Sequence, residues 1–135
     1  MPEPVELSRD EFSTYFRDDQ RSLIEQRWSS APMSEQQFRE RIAMLAQFLE
    51  RAHVQNVLVD MSKIEHTPSE DFNPWRQAHI IPRYNAAGVK KFAFILPPGA
   101  PDTVENGTTP AVEGAAKFPT GYFASRDQAL KWFET

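Results

Sequence analysis

The sequence predicts a single α/β domain in which an N-terminal β-hairpin is followed by alternating helices and strands on a mostly parallel central sheet. Apolar runs such as residues 57–59 and 92–96 do not alternate with polar residues, which is typical of strands covered on both faces. Helical periods lie between them, and such alternation favours parallel pairing with helices packed on the sheet. The 135 residues suit one domain, which we place at residues 11–135 after a tail of residues 1–10.

The first elements are a predicted hairpin and a predicted helix. Residues 12–17 and 22–28 carry aromatic and β-favouring residues on either side of a polar turn at 18–21. Ser34 and Gln37 then have the spacing of a capping box. The apolar residues that follow recur at helical spacing, which predicts one buried helix face: Phe38, Ile42, Leu45, Leu49 and Ala52.

The middle of the chain predicts a central strand and an interrupted helix. Residues 54–61 form the strand, and residues 67–87 are expected to form a short turn followed by a kinked helix. Residues 67–70 have the composition of an N-cap with Pro68 at the first helical position. Pro82 removes an amide further along, and Gly88 suits a left-handed helix end.

The remaining third of the chain predicts two strands, a loop and a helix. Residues 92–96 and 118–124 have strand composition. Residues 97–117 are rich in proline and glycine, so we expect a mobile loop there with one short helix at 109–116. Ser125 and Gln128 cap a last helix that directs apolar side chains toward the core: Ala129, Leu130, Trp132 and Phe133.

Composition excludes several classes of function. The net charge of −4 argues against a nucleic-acid binder, whose affinity comes mainly from lysine and arginine. The absence of cysteine excludes disulfides and thiol catalysis. The N-terminus lacks the basic and apolar regions of a signal peptide, and no run approaches the length of a membrane span, so a cytoplasmic address is expected.

The sequence also carries no complete catalytic or cofactor motif. It has no Gly-x-Ser-x-Gly elbow, glycine-rich phosphate loop or His-Glu-x-x-His pair. Its three histidines are about a dozen residues apart and fall on different predicted elements. We therefore expect a non-enzymatic protein without a metal or another cofactor.

Several segments, in order and at suitable spacing, resemble the STAS domain, and more closely its small SpoIIAA-like bacterial relatives that are grouped with Sec14-like lipid carriers. The segments are Trp28, the run 57–60, Trp75, the run 87–93 and the run 127–133. The resemblance implies a STAS-like fold from the hairpin to the last helix. It also implies a regulatory or protein-interaction role.

In phosphorylatable STAS antagonists, a strand that ends in Asp-Leu-Ser leads to Asp-Ser-Ser-Gly at a helix start. Residues 60–62 lie on the first motif and residues 68–71 lie on the second. Glu70 replaces the serine that such antagonists phosphorylate, and its fixed single charge differs from that of a phosphate. The resemblance therefore implies a module without the ordinary serine switch.

Two functions follow as expectations. The first is a STAS-like module that binds a protein partner at the carboxyl edge of the central strand. The alternative is a carrier or sensor of a small amphipathic, lipid-like ligand held between residues 72–84 and the loop 97–117, where Arg76 or Arg83 meets an anionic head. The candidate partner- or ligand-binding residues are Asp60, Ser62, Ser69, Glu70, Phe72, Trp75, Arg76 and Arg83.

Simpler interpretations compete with these sites, and the sequence does not decide between them. Asp60 is also suited to accept hydrogen bonds within a turn, and Ser69 and Glu70 are suited to helix capping. Arg76, His79 and Arg83 recur at helical spacing and also fit a solvated helix face. For assembly we expect a monomer or a weak homodimer, with the hairpin residues Tyr15 and Trp28 at the contact.

Overall fold

The computed structural model describes residues 4–98 and 110–135, and these form an α/β domain with one mixed sheet. The strand order across the sheet is β1-β2-β3-β4-β5-β7-β6. The strands are β1 (Val5–Arg9), β2 (Ser13–Asp18), β3 (Leu23–Trp28), β4 (Asn56–Asp60), β5 (Lys91–Ile95), β6 (Ala111–Val112) and β7 (Pro119–Phe123). The helices are α1 (Glu35–Ala52), α2 (Phe72–His79), α3 (Ile81–Ala87) and α4 (Arg126–Phe133).

The centre of the sheet is parallel and both ends are antiparallel. Strands β3, β4, β5 and β7 pair in parallel, which places their carboxyl ends along one edge. Strands β1 and β2 add antiparallel to β3, and β6 adds antiparallel to β7. The predicted hairpin and the predicted central strand are confirmed, and Val57, Leu58 and Val59 are all buried.

Two predictions at the sheet edges differ from the structure. Residues Val5–Arg9, which we placed in a tail, form β1 and pair with β2. The short helix predicted at 109–116 is wrong within the described residues, because Ala111–Val112 pairs with β7 as β6. Residues 99–109 of the predicted loop lie outside the described residues.

The predicted cap at residues 67–70 is also wrong. Helix α2 begins at Phe72 with Asp71 as its N-cap, and no side chain caps it. Ser69 is unavailable for capping because its amide donates to Glu35 of α1 (3.1 Å) and its hydroxyl donates to Asp71. The predicted kink is a break at Ile80, after which Pro82 lies in the first turn of α3.

The capping predictions for the other helices are confirmed. Ser34 and Gln37 form a capping box at α1, and Ser125 and Gln128 form one at α4. Gly88 ends α3 with φ of 90°, a left-handed conformation that glycine adopts without steric cost.

Each face of the sheet packs against different helices. The first face, covered by α1 and α3, holds the larger core, whose residues include Phe38, Leu49 and Tyr84. The second face holds a smaller core beneath α4, built from Leu23, Leu58, Ala93, Ile95, Phe123 and Ala129. Tyr15 and Trp28 are 1% and 3% exposed in the first core, so they do not form the predicted contact between protomers.

Candidate functional site

A cavity of about 410 Å³ lies between the first face of the sheet and the helices α1, α2 and α3. Its volume is within the range of small-molecule sites, and its walls are mostly apolar. The aromatic rings that line it, besides two tyrosines described below, are Trp28, Phe38, Phe72, Phe92 and Phe94. The cavity lies beside residues 72–84, which were expected to form one side of the ligand pocket, and residues 99–109 of the loop expected on the other side lie outside the described residues.

Arg76 of α2 lies in the wall of this cavity. Its guanidinium carbon is 5.6 Å from the centroid of the Phe92 ring and 5.7 Å from that of Phe94, which are cation–π distances. Within residues 4–98 and 110–135, the guanidinium makes no hydrogen bond or ion pair. A half-buried positive charge therefore contacts aromatic rings without a carboxylate partner in the described chain.

Tyr84 of α3 also lines the cavity and is 1% exposed. Its hydroxyl forms no hydrogen bond with any residue that the structure describes. Burial raises the pKa of Tyr84 to about 12, although the positive charges of Arg76 and Arg83 act in the opposite direction. The phenol is therefore neutral at pH 7 and has a proton to donate.

Gln26 of β3 places a fixed amide in the same cavity wall. Its Nε2 donates to the Tyr15 hydroxyl (3.1 Å) and to the Arg41 carbonyl oxygen (3.4 Å). The Tyr15 hydroxyl donates to the same carbonyl at 2.7 Å. These bonds orient the amide, and its Oε1 has no donor among the described residues.

Residues 113–118, which we call the strap, connect β6 to β7 beside the cavity. The Ala115 amide donates to Gln77 Oε1 of α2 at 2.8 Å. Asn85 of α3 donates to the Ala115 carbonyl oxygen (3.0 Å) and accepts from the Lys117 amide (2.9 Å). Two amide side chains therefore hold the strap against the helices that form the cavity.

Gly114 and Glu113 bring the strap into the cavity wall. Gly114 has φ of 55°, and a Cβ at this position would lie 2.3 Å from Gln77 Oε1, so glycine permits the close approach. Glu113 accepts a hydrogen bond from the Tyr122 hydroxyl at 2.7 Å. Burial and this bond raise the pKa of Tyr122, whose ring stacks on Phe94.

A second, polar groove lies between α1 and the start of α2. Arg39 donates to Glu35 (2.7 Å), Asp71 (2.8 Å) and the Ser69 hydroxyl (2.9 Å). Hydrogen bonds from Ser69 and Arg39 lower the pKa of Asp71. Trp75 lines this groove rather than the cavity, and the Arg39 guanidinium lies 5.0 Å from its ring centroid.

The structure therefore divides the predicted site residues among several places. Phe72 and Arg76 line the cavity, and Ser69 and Trp75 line the groove. Arg83 bonds to Glu50 of α1 at 2.6 Å, so the predicted shared face with Arg76 is not formed across the helix break. The three remaining residues line neither the cavity nor the groove: Asp60, Ser62 and Glu70.

Asp60 accepts a hydrogen bond within a turn, which is the simpler of the two roles that the sequence suggested for it. Its carboxylate accepts a hydrogen bond from the Ser62 amide at 2.9 Å at the carboxyl end of β4. Glu70 is exposed and lies before the first turn of α2. Binding of a partner or ligand by Asp60 or Glu70 therefore stays a prediction.

Sequence reasoning did not name, as site residues, six polar residues of the cavity wall: Gln26, Asn73, Gln77, Tyr84, Glu113 and Tyr122. Gln26 gave no signal, because it lies between the charged Glu25 and Arg27 in the sequence. Tyr84 and Glu113 fall within the segments 72–84 and 97–117 that were expected to enclose the ligand, but their individual positions depend on the packing of α3 and of the strap.

Searches against protein-family models, curated proteins and solved structures each return no match. In the described parts of the chain, no group of three or more histidine, aspartate or glutamate side chains is placed to hold a metal ion. No helix within those same parts is long and apolar enough to cross a membrane. The geometry of the cavity is therefore the main evidence for function.

Proposed function

We propose that this protein is a non-enzymatic carrier or sensor that holds a small amphipathic, lipid-like molecule in its cavity. The observation that carries the proposal is the 410 Å³ space with aromatic walls, located between the sheet and α1, α2 and α3. Apolar concave sites with a few convergent polar groups are the usual form of small-molecule sites. Here the convergent groups come from three elements: Gln26, Arg76 and Tyr84.

The proposal is supported by how well the surrounding core is packed. Phe38, Leu45 and Phe92 are each 1% exposed, and protein interiors normally leave few voids larger than a water molecule. The space of about 410 Å³ is partly open to solvent, and its wall is more apolar than polar. A bound apolar molecule would displace water from that wall.

The expected partner-docking edge has less support. Ser69 is engaged by Glu35, Asp71 and Arg39, and Asp60 is engaged by the Ser62 amide. The polar groups that would recognise a partner are thus largely used within the chain. We therefore favour the cavity over the carboxyl edge as the working site, and the STAS-like regulatory role stays a prediction.

Native mass spectrometry and organic-solvent extraction of the purified protein test the proposal first. We expect either a bound small molecule or, after delipidation, uptake of the neutral fluorescent probe 1-naphthylamine. A neutral probe is chosen because it reports the apolar cavity independently of charge. Repeated preparations that carry nothing and take up no probe would overturn the carrier proposal.

A matched pair of variants locates the probe. Asn73 is exposed on α2 and lines the cavity, whereas Ala78 is exposed on the same helix and does not. Asn73→Trp should fill the opening and lower probe uptake, while Ala78→Trp should leave uptake unchanged. Equal uptake by both variants would place the probe elsewhere and remove the cavity from the proposal.

A further inference from the structure

We infer that the ligand is a singly charged amphipathic acid, whose anionic group pairs with Arg76 and accepts a hydrogen bond from Tyr84. This inference rests on the proposed function and names the class of ligand for the same cavity. Its basis is the set of polar groups in the wall and their missing partners.

Arg76 differs from the other half-buried arginines of the described chain. Each of the others contacts a carboxylate: Arg17, Arg39, Arg41, Arg83 and Arg126. The Arg76 guanidinium instead lies against the Phe92 and Phe94 rings and has no hydrogen bond or ion pair within the described residues. A partly desolvated charge without a counterion is costly, and a guanidinium presents a planar set of donors that suits a bidentate acid group.

Tyr84 supplies the second observation. Its side chain is 1% exposed and lines the cavity, yet its hydroxyl is unpartnered within the described residues. The hydroxyl oxygen is not among the fully buried atoms that lack a partner, so it has access to the cavity and can donate to a bound acceptor. The Tyr84 ring and the Arg76 guanidinium both contact the Phe92 ring, at 5.3 Å between ring centroids and 5.6 Å from the guanidinium carbon to the centroid.

Glu113 limits the charge of the ligand. Arg76 and Glu113 are the only charged side chains that line the cavity among the described residues. A single negative charge on the ligand would be matched by Arg76. A second negative charge, as on a phosphate monoester, would have no second cation among the described lining residues and would be repelled by Glu113.

The volume sets the approximate size of the ligand. Water occupies ~30 Å³ per molecule in the liquid. At that packing, a cavity of 410 Å³ holds on the order of a dozen non-hydrogen atoms. Medium-chain or single-ring acids satisfy this limit.

Calorimetric titration of the delipidated protein at pH 8 with octanoate, 1-octanol and octyl phosphate tests the inference. These probes share one chain and differ in charge. We expect octanoate to bind about tenfold to hundredfold more tightly than octanol, the range of a hydrogen bond to a charged group. Octyl phosphate should bind more weakly than octanoate. Arg76→Gln should remove the preference for octanoate over octanol, and Arg51→Gln, which removes an exposed charge from α1, should retain it.

The outcomes separate the two proposals. If octanol binds and octanoate has no advantage, or the advantage persists in Arg76→Gln, the inference is overturned and the carrier function stands. Tighter binding of octyl phosphate than of octanoate also overturns it. If neither these probes nor the neutral naphthylamine bind, the carrier function itself fails. Octanol binding that is unchanged in Arg76→Gln shows that this variant folds, so its lost preference can be assigned to the guanidinium.

Discussion

Tyr15 and Tyr84 are equally buried but differ in what their hydroxyl groups contact. Both are 1% exposed. The Tyr15 hydroxyl donates to the Arg41 carbonyl oxygen and accepts from Gln26, whereas the Tyr84 hydroxyl has no partner among the described residues. The Tyr84 ring packs on Phe92 and Phe118 in the core, whereas its hydroxyl adds no hydrogen bond to the described fold and is therefore available to a ligand.

Removing the Tyr15 hydroxyl should therefore affect mainly stability, and removing the Tyr84 hydroxyl should affect mainly ligand binding. Tyr15→Phe should lower the free energy of unfolding by about 1–3 kcal/mol, because it removes two hydrogen bonds, one to the Arg41 carbonyl oxygen and one from the Gln26 amide. Tyr84→Phe should change stability little, and it should weaken octanoate binding. Urea denaturation and calorimetry check these expectations. A loss of stability in Tyr84→Phe as large as that in Tyr15→Phe would show that the Tyr84 hydroxyl is structural.

The sequence predicted only part of the site at this scale. Phe72 and Arg76 were identified because apolar and cationic residues recur near prolines in a helical segment. Gln26 and Tyr84 were not, because they come from β3 and α3 and meet only after the sheet and helices have packed. Arg83 was wrongly grouped with Arg76, since a helical period does not continue through the break at Ile80.

Among the secondary-structure elements, those with local signals were predicted well. Helices α1 and α4 each begin with a capping box, and β4 is an uninterrupted apolar run, so neighbouring residues alone specify them. The edge strands were missed because their residues are mostly exposed and β6 has only two residues. They pair with β2 and β7 across the short connections 10–12 and 113–118, and neither connection has the sequence of a common hairpin turn.

Helices α1 and α3 are linked by a pair that should respond to pH. Hydrogen bonds from Arg83 lower the pKa of Glu50, with burial acting in the opposite direction. The folded pKa is below the ordinary value of 4.5, so the pair stabilises the fold above about pH 4.5, and this contribution is lost as the pH falls through the folded pKa. Because Glu50 is 42% exposed, the effect should be a few tenths to about 1 kcal/mol.

Glu50→Gln should therefore be slightly less stable than the wild type at pH 7, and the difference should be smaller at pH 3. Urea denaturation at both values measures the difference. Glu65→Gln is the control, because Glu65 is exposed and makes no hydrogen bond or ion pair with the described residues. If Glu50→Gln is as much less stable than the wild type at pH 3 as it is at pH 7, the charge of Glu50 is not the cause of the stability difference.

For the whole molecule, the exposed sheet edge at β1 bears on self-association. Its Val5 and Leu7 are 59% and 36% exposed, and edge strands with free backbone groups tend to pair with other chains. An irregularity between Glu6 and Ser8 interrupts the register with β2, and such bulges weaken edge pairing. We therefore expect a monomer or a weak homodimer.

Light scattering across a concentration series measures this assembly. Any dimer should be weakened by Val5→Lys, because the charge lies on the edge that pairs. Val112→Lys is the matched control, since Val112 is equally exposed at 59% on β6 at the other end of the sheet. A concentration-independent mass above that of a dimer, or a dimer weakened only by Val112→Lys, would contradict the prediction.

Helix α4 is synthesised last among the described elements, so the second core is covered only at the end of folding during synthesis. It covers the second core, and its Arg126 bonds to the buried Glu25 across 101 positions of sequence. A growing chain can complete its first face while Leu58, Ala93 and Phe123 still lack a cover on the second. Until residues 126–133 leave the ribosome, the sheet presents an apolar surface and a carboxylate that lacks one of its two cations. Premature termination before α4 should therefore yield a chaperone-dependent, aggregation-prone intermediate rather than a slightly weakened native protein.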